Sequence, residues 1–139
     1  SIDSRRDTMQ DLLDKMQEQA SDLFQQKDIA CTFELGNIPK NKILSVNVRQ
    51  QLFLIFNEAI TNIIRHSDAD EVKVFIGNLQ DSFSMSIQDN GSKSKGINRI
   101  NKKSGMGISN MKMRAGKIAA DLDIDNTDGY KVTVRMKKI

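Results

Sequence analysis

Glu58, Asn62 and His66 stand four residues apart in the 139-residue chain, a spacing that sets side chains on one face of an α-helix. A carboxylate and an amide oxygen on such a row are hard donors, of the kind Mg2+ accepts while it keeps waters and substrate phosphates. The row borders an apolar stripe, so it reads equally as the solvated flank of an amphipathic helix. Asp89 continues the alternation Phe83, Met85, Ile87, which places its carboxylate on the core side of a strand end, where it needs a partner. The exocyclic amine of adenine is one partner that fits; a plain turn at Asp89, Asn90 and Gly91 is the other reading. Gly105, Met106 and Gly107 lie directly before a third helix, whose free N–H groups and positive dipole end favour phosphate. Residues 91–104 carry Lys93, Lys95, Arg99, Lys102 and Lys103 with no acid and no apolar period. They read as a basic loop that attracts an anion.

Several better-known sites are excluded. Gly91 and Gly96 have Walker spacing but are followed by Ile97 and Asn98, and Asn110 stands where a dinucleotide-binding pattern needs its third glycine. Asp121, Asp123 and Asp125 have calcium-loop spacing, yet Asn126 replaces the obligatory glycine and Val132 the closing glutamate. They read instead as the exposed face of a strand alternating with Leu122 and Ile124. One cysteine, Cys31, and one histidine cannot build a zinc site or a disulfide framework, and this cysteine usage points to a reducing compartment.

The elements that must position these residues follow from periodicity. Met9, Leu12, Leu13, Met16, Ala20, Leu23 and Phe24 predict a helix over 7–27. Ile29, Cys31, Phe33 and Leu35 alternate as a half-buried strand with Cys31 inward. Pro39 sits in the connection over 36–42, and a second helix follows over 46–66. Val72, Val74 and Ile76 predict a strand, and the 83–89 strand pairs with it antiparallel across a turn near Gly77 and Asn78. A third helix carries Ile108, Met111, Ala115, Ile118 and Ala119, before strands at 122–124 and 130–136. Three helices and about five strands predict an α+β two-layer sandwich, helices on one face of a mixed, largely antiparallel sheet.

With 21 Lys and Arg against 18 Asp and Glu the net charge is +3, and 38% apolar with 28% charged residues fits one globular domain. The charge is uneven: residues 1–92 hold 9 basic and 14 acidic side chains, residues 93–139 hold 12 and 4. The longest purely apolar run, 52–56, is far short of the roughly 18 residues a membrane span requires. The chain starts at Ser1 and reads as a piece of something longer.

In order, NEAITNIIRHSDAD (57–70), SIQDNG (86–91) and GMGISNMKMRA (105–115) resemble the N, G1 and G2 boxes of the GHKL ATPase superfamily, most nearly those of two-component sensor histidine kinases. The resemblance covers nearly the whole chain and implies a Bergerat fold over 1–139 that binds Mg·ATP under a lid at 92–104. By position Asn62 resembles the Mg2+-binding asparagine and Glu58 its upstream polar partner, the two carrying catalysis. Arg65 and His66 resemble lid-facing residues near the phosphates, Asp89 the adenine reader, Gly91 its neighbouring glycine, and Gly105 and Gly107 the phosphate-side glycines. Two departures are expected to matter: Lys93 replaces a second G1 glycine, and Tyr130 follows Gly129 where a threonine is usual, so that one polar contact near the base is expected to be absent.

The resemblance further implies transfer of the γ-phosphoryl group to a histidine on dimerisation helices outside this chain, then to a response regulator, in a homodimeric receptor whose catalytic part is cytoplasmic. No nucleic acid or membrane partner is expected for this chain, and His66 is not the phosphoacceptor, so the chain alone is not expected to phosphorylate itself. The alternatives are a GHKL serine kinase that sequesters a sigma factor, which the NMKMRA run fits less well, and a nucleotide-sensing scaffold without catalysis. A basic nucleic-acid module lacks the stacking aromatics it would need.

Overall fold

Thr8 and Ser45 start the two long helices in the computed structural model, which describes residues 6–92 and 105–139. Thr8 Oγ1 accepts the Asp11 N–H at 3.2 Å while the Asp11 carboxylate takes the Thr8 N–H at 3.1 Å, a reciprocal cap that satisfies two free donors. The N–H and the hydroxyl of Thr8, both donating to the Asp11 carboxylate, hold it below its ordinary range. Helix α1 spans Met9–Gln25 and α2 spans Val46–His66. Ser45 Oγ accepts the Val48 N–H at 3.1 Å. In α2 Leu52, Ile55, Phe56, Ala59, Ile60 and Ile63 form a fully buried stripe, each large side chain contributing about 1.5–3 kcal/mol relative to exposure.

The strands are β1 (Ala30–Leu35), β2 (Glu71–Leu79), β3 (Ser82–Asp89), β4 (Asp121–Asp125) and β5 (Lys131–Lys137), and the third described helix is α3 (Gly105–Lys117). They form one sheet in the order β1-β2-β3-β5-β4. β1 runs parallel to β2, which requires a crossover, and α2 is that crossover; the other pairs are antiparallel. Val72, Val74, Ile76, Phe83, Met85, Ile87, Val132 and Val134 face the helices and are buried. The expected mixed two-layer sandwich is therefore observed.

Asn47, in the first turn of α2, donates its amide to the Lys117 carbonyl at 2.9 Å and Arg114 reaches Gln51 at 3.3 Å. With Met111 and Ala115 buried, these bonds hold α3 beside α2. Cys31 is half-buried on the inner side of β1, as expected, and burial pushes its thiol up to about 11. Among the described residues no helix is long and apolar enough to cross a membrane.

Two local expectations need correction. The β2–β3 turn is at Gln80 and Asp81, with Gln80 at φ 56°, and not near Gly77 and Asn78. Asn78 stays in β2 because its N–H bonds the Asn37 carbonyl at 2.8 Å and its amide clasps both backbone groups of Ile139, at 2.6 and 3.1 Å. Gly105 and Gly107 form the first turn of α3, whereas their type and spacing predict a position directly before it. The expected lid falls on 92–104, of which all but Ser92 lies outside the described residues; Lys93 lies there too.

Candidate functional site

The row on α2 is no solvated flank. Asn62 is 1% exposed and His66 8%, with Glu58 half-buried one turn before Asn62. Asn62 Nδ2 donates to the Tyr130 hydroxyl at 3.3 Å, whereas its Oδ1 is buried without a hydrogen-bond partner among the described residues. An unmet buried acceptor costs about 1–3 kcal/mol, so this oxygen is held ready for a donor or a cation.

The first turn of α3 lies against these oxygens. A Cβ on Gly107 would stand 2.6 Å from Glu58 Oε2 and 3.7 Å from Asn62 Oδ1. Glycine allows that approach without displacing the Glu58 carboxylate, and the approach brings the positive end of a 13-residue helix beside the row. A carboxylate, an orphaned amide oxygen and free helix N–H groups form a donor set suited to a divalent cation and the phosphates it accompanies.

Asp89 occupies the other end of the site. It is 3% exposed and closes β3 opposite Val72, so the reading as a plain Asn-Gly hairpin turn is set aside. Its Oδ1 accepts the N–H groups of Gly91 at 2.9 Å and Tyr130 at 3.1 Å, while Oδ2 is buried and has no partner among the described residues. One carboxylate oxygen is thus committed to the fold and the other remains an unused acceptor. Gly129 makes this possible. Its φ is +75°, and a Cβ there would run into the Asp89 carbonyl.

A bracket of side-chain bonds ties the end of β3 to the loop leaving α2. Asn90 Oδ1 accepts the N–H groups of Asp70 and Glu71 at 3.0 and 3.1 Å, and its Nδ2 donates to Asp70 Oδ1 at 2.7 Å. Asp68 Oδ1 takes the Ser92 N–H at 2.7 Å. The end of β3 and the loop leaving α2 are held as one unit. Arg65 is exposed in the last turn of α2, apart from the buried row.

Tyr130 was not among the expected site residues. It is 2% exposed and contacts both ends of the site, its N–H on Asp89 and its hydroxyl on Asn62. The residue after Gly129 thus gives Asp89 a backbone bond and Asn62 a hydroxyl, and its departure from threonine was the available sequence signal. Burial pushes the phenol up to about 12; the Asn62 bond works against that, and the Glu58 and Asp89 carboxylates add to it. The hydroxyl is neutral across the physiological range.

Asp121, Asp123 and Asp125 are exposed on β4, and among the described residues no group of three or more His, Cys, Asp or Glu could hold a metal ion. A groove of about 730 Å3 between α1 and α2, lined by Lys15, Arg49 and Phe53 among others, contains none of the site residues. The oriented, unpartnered oxygens define the site better than the size of any hollow does.

Residues 47–138 match the family described as histidine kinase-, DNA gyrase B-, and HSP90-like ATPase. Relatives include the sensor histidine kinase LiaS of Bacillus subtilis, 31% identical over 94 residues that cover 68% of this chain and 26% of that protein. The sensor protein VraS of Staphylococcus haemolyticus is 41% identical over 78 residues, 55% of this chain and 22% of that one. The chain thus spans about a quarter of the length of the curated relatives it matches. Among solved structures, the catalytic domain of histidine kinase ThkA superposes with a TM-score of 0.72 at 14% identity, covering 94% of both chains. The ATP binding domain of PrrB from Mycobacterium tuberculosis gives 0.68 at 20% identity, covering 95% of both. The fold is the one these domains share, and with two thirds of its length matched the chain belongs to the histidine kinase-, DNA gyrase B-, and HSP90-like ATPase family.

Proposed function

We propose that this chain is the ATP-binding catalytic domain of a two-component sensor histidine kinase, with residues 1–139 forming that one domain. The observation that carries the reading is the pair of buried, unpartnered oxygens, Asp89 Oδ2 and Asn62 Oδ1, at the two ends of one site. The names of the relatives at 31% and 41% identity, both sensor proteins, support it.

In this reading Asp89 Oδ2 accepts a hydrogen bond from the exocyclic amine of adenine, and Gly91 fixes the carboxylate through Oδ1. Asn62 Oδ1, with Glu58 beside it, is the protein's donor to the cation. Mg2+, when bound with ATP, supplies neutralisation of charge on the phosphates. The first turn of α3, at Gly105 and Gly107, offers backbone N–H groups to the phosphates, and Arg65 and His66 line the approach from α2. These residues position and neutralise; they form no covalent bond. The attacking group is a histidine nitrogen on dimerisation helices outside this chain. It bonds to the γ-phosphorus as the bridging P–O bond breaks and ADP leaves with the electron pair. The phosphoryl group then passes to a response regulator. The whole protein is a homodimer whose catalytic part lies in the cytoplasm.

The test is incubation with γ-labelled ATP, alone and with the protein's own dimerisation hairpin. The chain alone is expected to bind ATP and take up no label, and the hairpin to be labelled on histidine, slowly, because the reaction is bimolecular. Label on His66 without the hairpin, or none on the hairpin in the presence of bound Mg·ATP, would overturn the reading.

A further inference from the structure

We propose that Tyr130 is a positioning residue of the nucleotide site: its hydroxyl takes the Asn62 amide NH2 and so turns Oδ1 of that amide toward the α3 end, where the cation belongs. The inference rests on the reading of Asn62 and Asp89 given above and adds a residue to it. The geometry is specific. Asn62 Nδ2 is 3.3 Å from the Tyr130 hydroxyl, and Oδ1 is left without a partner among the described residues, 3.7 Å from where a Cβ on Gly107 would stand. A side-chain amide has donors on one arm and an acceptor on the other, so the partner of one arm decides what the other presents. Turned over, Asn62 would aim an NH2 at the cation and repel it.

A phenol can donate as well as accept, so something must bias it. The carboxylates of Glu58 and Asp89 both act on Tyr130. Beside that negative charge the phenol keeps its proton, and its oxygen accepts from the Asn62 NH2 at 3.3 Å. Tyr130 is 2% exposed, so bulk solvent does not supply a substitute acceptor at that point. A shorter side chain would keep the backbone bond to Asp89, 3.1 Å, and could not span to Asn62. The two contacts of Tyr130 are therefore separable: the backbone serves the base-reading carboxylate and the hydroxyl serves the amide.

Tyr130→Phe tests this, with ATP and GTP titrated calorimetrically in Mg2+ and in EDTA. The factor by which Mg2+ tightens ATP binding is expected to fall about three- to tenfold, the worth of one hydrogen bond. The preference for ATP over GTP is expected to persist, because the backbone N–H is retained. An equal loss with and without Mg2+ would mark a merely structural residue and overturn the proposal. If Tyr130→Phe keeps the full Mg2+ effect while Asn62→Ala abolishes it, this inference fails alone; if Asn62→Ala keeps it too, the site reading fails with it. In the native chain, the Asn62 side-chain amide protons should exchange slowly and show contacts to the Tyr130 ring by NMR. Fast exchange without such contacts overturns the inference whatever the fate of the variant.

Discussion

Replacing Asp89 by asparagine should convert the base-reading acceptor into a donor without disturbing the fold. Asp89 Oδ1 accepts two N–H groups, from Gly91 and Tyr130. Those two donors dictate how an asparagine would sit: its oxygen must take the Oδ1 position, which leaves the NH2 where Oδ2 now lies buried and unpartnered. That NH2 opposes the exocyclic amine of adenine and suits the 6-oxo group of guanine. The lost bond to a charged acceptor is worth about 1.5–3 kcal/mol, or roughly ten- to a hundredfold in ATP affinity. The ATP-to-GTP affinity ratio should therefore fall at least about tenfold. Calorimetric titration of both nucleotides into native and Asp89→Asn protein, with thermal melting to establish that the variant is folded, measures the ratio. An unchanged ratio in a folded variant would refute the assignment of Oδ2 to the base.

Asn62→Ala should remove the Mg2+-dependent part of ATP affinity and leave circular dichroism unchanged; retained metal dependence would sink the cation role. Gly129→Ala should lower the melting temperature, since an L residue at φ +75° facing the Asp89 carbonyl costs at least about 1 kcal/mol, and an equal or higher melting temperature would count against the described turn. Tyr130 is the chain's one tyrosine, so ultraviolet titration should follow it alone, with a midpoint near 12. Because its folded pKa is raised above the ordinary 10.0, its contribution is complete below pH 10 and is lost as pH rises toward 12. Melting curves of Tyr130→Phe should show a weaker decline across that window.

Helix α2 was legible to its termini because its apolar stripe is strong. The end of β3 was legible too: alternation alone carried Asp89 inward. What the sequence concealed was decided by distant partners. Gly77 and Asn78 have turn-forming identities, but Ile139 and Asn37 hold Asn78 in the ladder, and the bend moved to Gln80. The glycines at 105 and 107 marked a loop by type, whereas packing beside α2 extended the helix through them. Tyr130 could be flagged only as unusual after Gly129. That its hydroxyl meets Asn62 is a property of how the residue leading into β5 approaches α2, which no local pattern encodes.

The bonds that Tyr130 makes to Asp89 and Asn62 bridge 41 and 68 positions of sequence. Neither end of the site can therefore form inside an isolated hairpin or helix pair. An intermediate lacking β5 would have no organised receptor for ATP, and the nucleotide would distinguish native chains from nearly native ones. Binding then acts as a thermodynamic lock on complete folding: at a free ligand concentration about a hundred times Kd it deepens the native state by about 2.7 kcal/mol. Under the proposed reading, a chain that has completed β5 would be held by nucleotide, whereas one that has not would stay open to proteolysis.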